Sequence, residues 1–283
     1  MTWVITGVAL TEMPAMVFAT LSLYLLLRGV EALEQERPVL RWFVASGIFL
    51  AVAAWGRQPY LLLAGVPALL ALLDRRLRIP ALAVVAIVMV SAMPLVIAWE
   101  GLVPPDDAAD EGLSLLHGAI SLGYASICFF LLAPRVKSTS RKSFIAAAVI
   151  LAALNAWFGF VVYAPFESLA DEFLSDPAMY VYGLAGGSLM LVCGVTFLAW
   201  ILGTTWQDRG DLKKVAINVS LLCIVLWPAF VANFYASRYT AMALPYLILA
   251  AQPWRKWGWK TTAATIAGCG MGLVSLHGYY LLD

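Results

Sequence analysis

Three short stretches of the 283-residue chain hold residue types that could bind or activate a charged substrate. In Thr11-Glu12-Met13-Pro14 a carboxylate stands two residues before a proline at the mouth of an apolar run. In Gly56-Arg57-Gln58-Pro59 an arginine and an amide share a tight turn between two apolar runs. In Asn233-Phe234-Tyr235-Ala236-Ser237-Arg238-Tyr239 a second arginine lies among aromatics, and Pro245 follows in the next run. A guanidinium presents a planar fork of N–H donors matched to phosphate or carboxylate, so Arg57 fits either a phosphate or Glu12 as its partner. A snorkelling arginine at a helix end is the plainer alternative. Glu12 also has a plain local reading. Thr11 can cap a helix that starts there, Glu12 sits at the positive end of its dipole, and Pro14 is tolerated in the first turn.

The elements that must position these residues follow from composition. Hydrophobic residues make up 63% of the chain and charged residues 12%, with a mean hydropathy of +0.86, far below the rough quarter of charged residues in soluble domains. Apolar runs long enough to cross about 30 Å of hydrocarbon recur along the whole sequence. They lack the alternation of barrel strands, so helices are the spanning element. The expected fold is all-α, a polytopic membrane protein of about ten transmembrane helices. The spans are expected near 12–29, 39–56, 58–73, 79–100, 114–133, 143–163, 178–203, 213–234, 237–253 and 261–281. No linker composition or short repeat divides them, and residues 1–283 read as a single transmembrane domain.

Basic clusters give the orientation. Arg28/Arg37/Arg41, Arg75/Arg76/Arg78, Arg135/Lys137/Arg141/Lys142, Arg209/Lys213/Lys214 and Arg255/Lys256/Lys260 fall at every second junction, the side assigned to the cytoplasm. The junctions between them are acidic or nearly uncharged, and of the 18 Lys and Arg residues only Arg57 and Arg238 fall on the outer side. This alternation predicts an N-terminus outside and a multi-pass protein of the cell membrane. Met1 to Leu10 has no basic region of the signal-peptide kind. A chain that starts outside with no earlier span reads as one whose front is missing. A short uncharged N-terminus that crosses by itself is the alternative.

"LTEMPAMVFATLSLYLLLRG", "FVASGIFLAVAAWGRQPYLLLAGVPALLAL" and "SRYTAMALPYLILA" resemble, in order and spacing, successive segments of GT-C-type membrane glycosyltransferases. That group includes protein mannosyltransferases and aminoarabinose transferases. Glu12 with Pro14 resembles the acidic residue and proline at the outer end of an early helix. Gly47, Ala51, Ala53 and Ala54, followed by Arg57 and Pro59, resemble a helix rich in small residues that ends in a basic residue. Arg238, Tyr239 and Pro245 resemble the late outer Arg-Tyr pair. The resemblance implies transfer of a sugar from a polyprenyl-phosphate carrier to an acceptor at the outer face. Arg57 and Arg238 would hold the lipid phosphate, Gln58 and Tyr239 would support them, and Glu12 would orient the arginines or an acceptor. It names no certain cofactor and leaves a divalent cation open. The family's large first outer loop, with the acidic residues taken as catalytic base, has no counterpart here, so no catalytic residue is assigned. Asp106 and Asp107 belong to a later loop and read as solvated.

Other chemistries find little support. Cys128, Cys193, Cys223 and Cys269 lie singly in apolar runs, without zinc or disulfide spacing. His117 and His277 have no carboxylate at helical spacing. Gly183, Gly186 and Gly187 lie inside a span, where small residues permit close packing, and do not form a phosphate loop. The basic junctions explain orientation without nucleic acid. The expected partners are a polyprenyl-phosphate sugar and membrane lipid. A transporter or a non-catalytic membrane subunit remains the second functional class; against transport, charges sit at span ends and Asn155, Asn218 and Asn233 are the main polar residues within spans.

Overall fold

The computed structural model describes residues 2–101, 112–132, 141–163, 170–171, 173–230, 236–252, 258–259, 262–263 and 266; side chains are described from residue 13 onward, except those of 141–144 and 236–241. Among them there is no strand. The helices are α1 (Thr2–Glu34), α2 (Leu40–Gly56), α3 (Gly65–Leu73), α4 (Arg78–Trp99), α5 (Leu115–Leu132), α6 (Arg141–Phe158), α7 (Asp176–Gln207), α8 (Leu212–Leu226) and α9 (Ala236–Ala251). Short 3-10 helices at Gln58–Ala64, Arg75–Leu77 and Trp227–Phe230 precede α3, precede α4 and follow α8. Among the described residues, five segments are long and apolar enough to cross a membrane: Met13–Glu34, Arg75–Trp99, Leu115–Leu132, Asp176–Gln207 and Leu212–Phe230. Shorter apolar helices, Leu40–Gly56, Gln58–Leu73, Ile145–Phe158 and Met242–Ala251, fall within the expected spans 39–56, 58–73, 143–163 and 237–253, and most of 261–281 lies outside the described residues.

The N-terminal helix differs from expectation. It does not begin at Thr11; α1 is continuous from Thr2, with Pro14 inside it. The apolar stretch before Thr11 continues the helix, and a proline within a long membrane helix loses one backbone bond without ending it. Thr11 is therefore no cap. At its other end α1 runs past the apolar run to Glu34, where Arg28 and Glu31 pair at 2.8 Å one turn apart. Arg37 then donates its N–H to the Ala32 carbonyl at 2.8 Å and Glu36 to Leu33 at 3.1 Å, a Schellman closure that puts Glu36 at φ 55. Glycine takes that backbone conformation without the Cβ penalty. Glu36→Gly is expected to raise stability by about 1 kcal/mol, read as a higher unfolding midpoint in detergent. A lower midpoint would show that the glutamate side chain contributes more than the conformation costs.

The chain forms two compact units, Met1–Leu113 with Gly203–Tyr246, and Ser114–Leu202 with Leu247–Asp283. In the first, α1 and α2 pack antiparallel. Ser22 Oγ donates to the Ser46 carbonyl and Ser46 Oγ to the Ser22 carbonyl, each at 2.9 Å, and both serines are buried. Phe18 and Phe49 stack with centroids 5.9 Å apart. A Cβ on Gly29 would meet the Phe43 ring at 2.6 Å, and one on Gly47 would meet the Val84 backbone of α4 at 3.1 Å. Small residues thus bring three helices together where lipid supplies no hydrophobic drive. A double-mutant cycle on Ser22→Ala and Ser46→Ala is expected to give a coupling near 1 kcal/mol. Strict additivity in unfolding experiments would mean that the reciprocal bonds do not stabilise the pair.

In the second unit α5 and α7 meet through Gly123 and Gly194, where an added Cβ would lie 2.8 Å from Met190 and 3.1 Å from Gly123 N respectively. Phe129 closes this contact against Phe197 and Trp200, at 5.2 and 4.4 Å between centroids. After α6, Gly159 takes φ 57 and the extended segment 159–163 lies along α7. Asn155 holds it: Asn155 Nδ2 donates to the Val161 carbonyl at 2.9 Å, and Val161 N–H donates to Asn155 Oδ1 at 2.8 Å.

Candidate functional site

The sequence-predicted residues Arg57 and Gln58 occupy the junction that follows α2. Arg57 is extended, at φ −157 and ψ 116, and its N–H caps α2 by donating to the Ala53 carbonyl at 2.9 Å. Its own carbonyl accepts from the Tyr60 N–H at 3.2 Å, opening the 3-10 helix. This helix runs seven residues, Gln58–Ala64, longer than is usual. Pro59 stands at its start and Pro67 lies just beyond it in α3; neither can donate the backbone bonds of a regular α-helix.

The unusual turn places Arg57 and Gln58 in different surroundings. Gln58 is half-buried and lines a small apolar cleft of about 10 Å³ with Ala54, Trp55, Leu61, Leu95 and Trp99. Trp55 is fixed there by its Nε1, which donates to the Ser91 carbonyl of α4 at 2.9 Å. Arg57 is also half-buried, with its Nε atom enclosed, and its charge lies within electrostatic reach of the Tyr60 phenol. Tyr60 and Tyr246 are both fully buried, and each hydroxyl has no hydrogen-bond partner among the described residues. Tyr60 and Cys223 of α8 both neighbour Tyr246. Burying a hydroxyl without a partner costs roughly 1–3 kcal/mol, and buried tyrosines ordinarily find one. Two such hydroxyls, that of Tyr60 with Arg57 nearby, are available as donors to an oxyanion.

The remaining predicted residues lie on helices that reach this region. The α1–α2 register set by Ser22–Ser46 and Phe18–Phe49, carried back along α1, brings Glu12 level with Gly56 and Arg57. Arg238 and Tyr239 lie in the first turn of α9. Tyr239 precedes Tyr246 by seven residues in α9, about 10 Å along the axis. The side chains of Glu12, Arg238 and Tyr239 are outside the described residues. Sequence reasoning missed Tyr60 and Tyr246. Each is a single polar atom in an apolar run close to a predicted residue, Tyr60 three after Arg57 and Tyr246 directly after Pro245.

Of the other groups considered from sequence, Cys223 neighbours Tyr246 of this site. His117 is half-buried in α5 and Cys128 and Cys193 are half-buried in the second unit. Asn218 is buried and donates to Thr205 Oγ at 3.1 Å. Among the described residues no three His, Cys, Asp or Glu side chains are grouped as metal ligands would be. In comparisons with known proteins, the chain matches no family model, no curated protein and no solved structure.

Proposed function

We propose that the chain is a multi-pass protein of about ten spans with its N-terminus outside, related to GT-C-type membrane glycosyltransferases, whose outer end binds a polyprenyl-phosphate sugar carrier. The observation that carries this reading is the pair of buried Tyr60 and Tyr246 hydroxyls without a hydrogen-bond partner among the described residues, with Arg57 near Tyr60. A phosphodiester or phosphomonoester offers acceptors for both hydroxyls and a charge for the guanidinium, and such bonds are strongest where water is excluded. Gln58 follows Arg57 directly, and the isoprenoid tail would lie in the bilayer along the exposed Trp55 and Val96. Arg238 and Tyr239 complete the phosphate site from α9, and Glu12 orients the arginines or the acceptor.

The transfer itself forms a bond between an acceptor oxygen and the anomeric carbon and breaks the bond from that carbon to the phosphate oxygen. The acceptor proton passes to a carboxylate, and the phosphate remains on the carrier. Arginine and tyrosine donors would stabilise the charge that grows on the departing phosphate. Photo-crosslinking tests the site. A polyprenyl phosphate carrying a diazirine near its phosphate is expected to label peptides containing residues 54–61 and α9, with loss of labelling on addition of unmodified polyprenyl phosphate. Labelling spread along lipid-facing helices and insensitive to competition would refute the reading.

A further inference from the structure

We propose that one end of the first unit is a docking surface for the anionic headgroups of a lipid bilayer. Three junctions distant in sequence converge there. Lys213, at the start of α8, bonds Glu34 at the end of α1 at 2.6 Å, and Glu36 after α1 acts electrostatically on Arg76 before α4. The acidic side chains of this end are largely taken up within it: Glu31 by Arg28, Asp74 by Arg76 at 2.7 Å, and Asp208 and Asp211 by Lys214 at 3.0 and 3.7 Å.

Arg37, Arg41, Arg75, Arg78 and Arg209 are left exposed with no ion pair among the described residues. Arg41 and Arg78 stand in the first turns of α2 and α4, where their charge adds to the positive end of each helix dipole. The surface therefore keeps a net positive field that the chain does not neutralise.

Two tryptophans show what that field meets. The Arg41 and Arg28 guanidiniums lie 5.0 and 5.7 Å from the Trp42 ring, and that of Arg209 lies 4.8 Å from Trp206. Trp206 is 71% exposed. Indoles at the ends of membrane-crossing helices sit at headgroup level. A guanidinium held over an indole ring has further N–H donors for an acceptor, and at headgroup level the plentiful acceptors are lipid phosphates. Exposed arginines at the ends of α1, α2 and α4 thus meet anionic lipid in preference to zwitterionic lipid, whose own cation competes for the phosphate.

The test is lipid selection by the full chain. Protein reconstituted in mixed phosphatidylglycerol and phosphatidylcholine is extracted gently, and its retained lipid is identified by native mass spectrometry. Enrichment of phosphatidylglycerol by roughly tenfold or more is expected, falling towards parity in the variant Arg41→Gln/Arg75→Gln/Arg78→Gln/Arg209→Gln. The wild-type chain at high salt provides the same comparison without mutation, because screening weakens the attraction. No enrichment in the wild type, or an enrichment unchanged in both the variant and high salt, would overturn the proposal.

Discussion

Gly187→Ala is expected to destabilise the second unit by about 4 kcal/mol, near the upper end of single-substitution effects. An alanine Cβ at this position would lie 1.9 Å from the Val161 carbonyl oxygen and 2.7 Å from its carbon. Both are backbone atoms, so no side-chain rotation relieves the overlap. Val161 cannot retreat cheaply either. Asn155 holds its N–H and its carbonyl together, Asn155 Nδ2 also donates to Ser188 Oγ at 2.9 Å, and Tyr163 N–H donates to the Gly183 carbonyl at 2.9 Å. Moving the segment breaks buried hydrogen bonds and leaves their partners unsatisfied. Thermal unfolding of the purified variant and limited proteolysis within residues 159–163 provide the check. A midpoint within a degree or two of wild type would mean that the segment does not pack on α7 as described.

Arg57→Gln is expected to weaken binding of a polyprenyl phosphate on the order of a hundredfold, the loss for a charge-assisted donor in a water-poor site. Arg57→Lys keeps the charge without the planar fork and should recover part of the affinity. The tyrosines separate a binding role from a structural one. Neither hydroxyl has a partner among the described residues, so Tyr60→Phe and Tyr246→Phe should leave stability unchanged or slightly raised. Each should nevertheless lower affinity for the phosphate roughly tenfold. Titration of the carrier into protein in nanodiscs, with melting curves run alongside, reads both quantities. Unchanged affinity in the two phenylalanine variants would remove the hydroxyls from the site.

Much of the architecture is legible in the sequence because the solvent is. Apolar runs must become helices in lipid, and charge can gather only where they end, so the positions of α2, α4, α5 and α7 follow from composition. The start of α1 was not legible. A Thr-Glu-x-Pro stretch carries the local chemistry of a first turn in water, whereas within a long apolar segment it is continued through. The long 3-10 helix after Arg57 has Pro59 in its first turn and Pro67 just beyond its end, and no single-residue preference marks its length. Asn155 stood out as a polar residue within a span, but its partner is the backbone of Val161, across a turn that sequence patterns do not mark. Gly187 read as a helix-to-helix contact and instead accommodates an extended segment. Tyr60 and Tyr246 were hidden for the reason that makes them informative: in an apolar run a tyrosine reads as packing, and only its surroundings show that its hydroxyl lacks a partner.

The most direct test of carrier binding compares two ligands that differ only at the head. The full chain is reconstituted in zwitterionic nanodiscs and titrated with a long-chain polyprenyl phosphate or the matching polyprenol, and complexes are counted by native mass spectrometry. The phosphate-bearing lipid is expected to bind saturably with one molecule per chain, while the alcohol binds weakly and without saturation. Equal retention of the two, or no retention of either, would contradict a phosphate site at Arg57, Tyr60 and Tyr246.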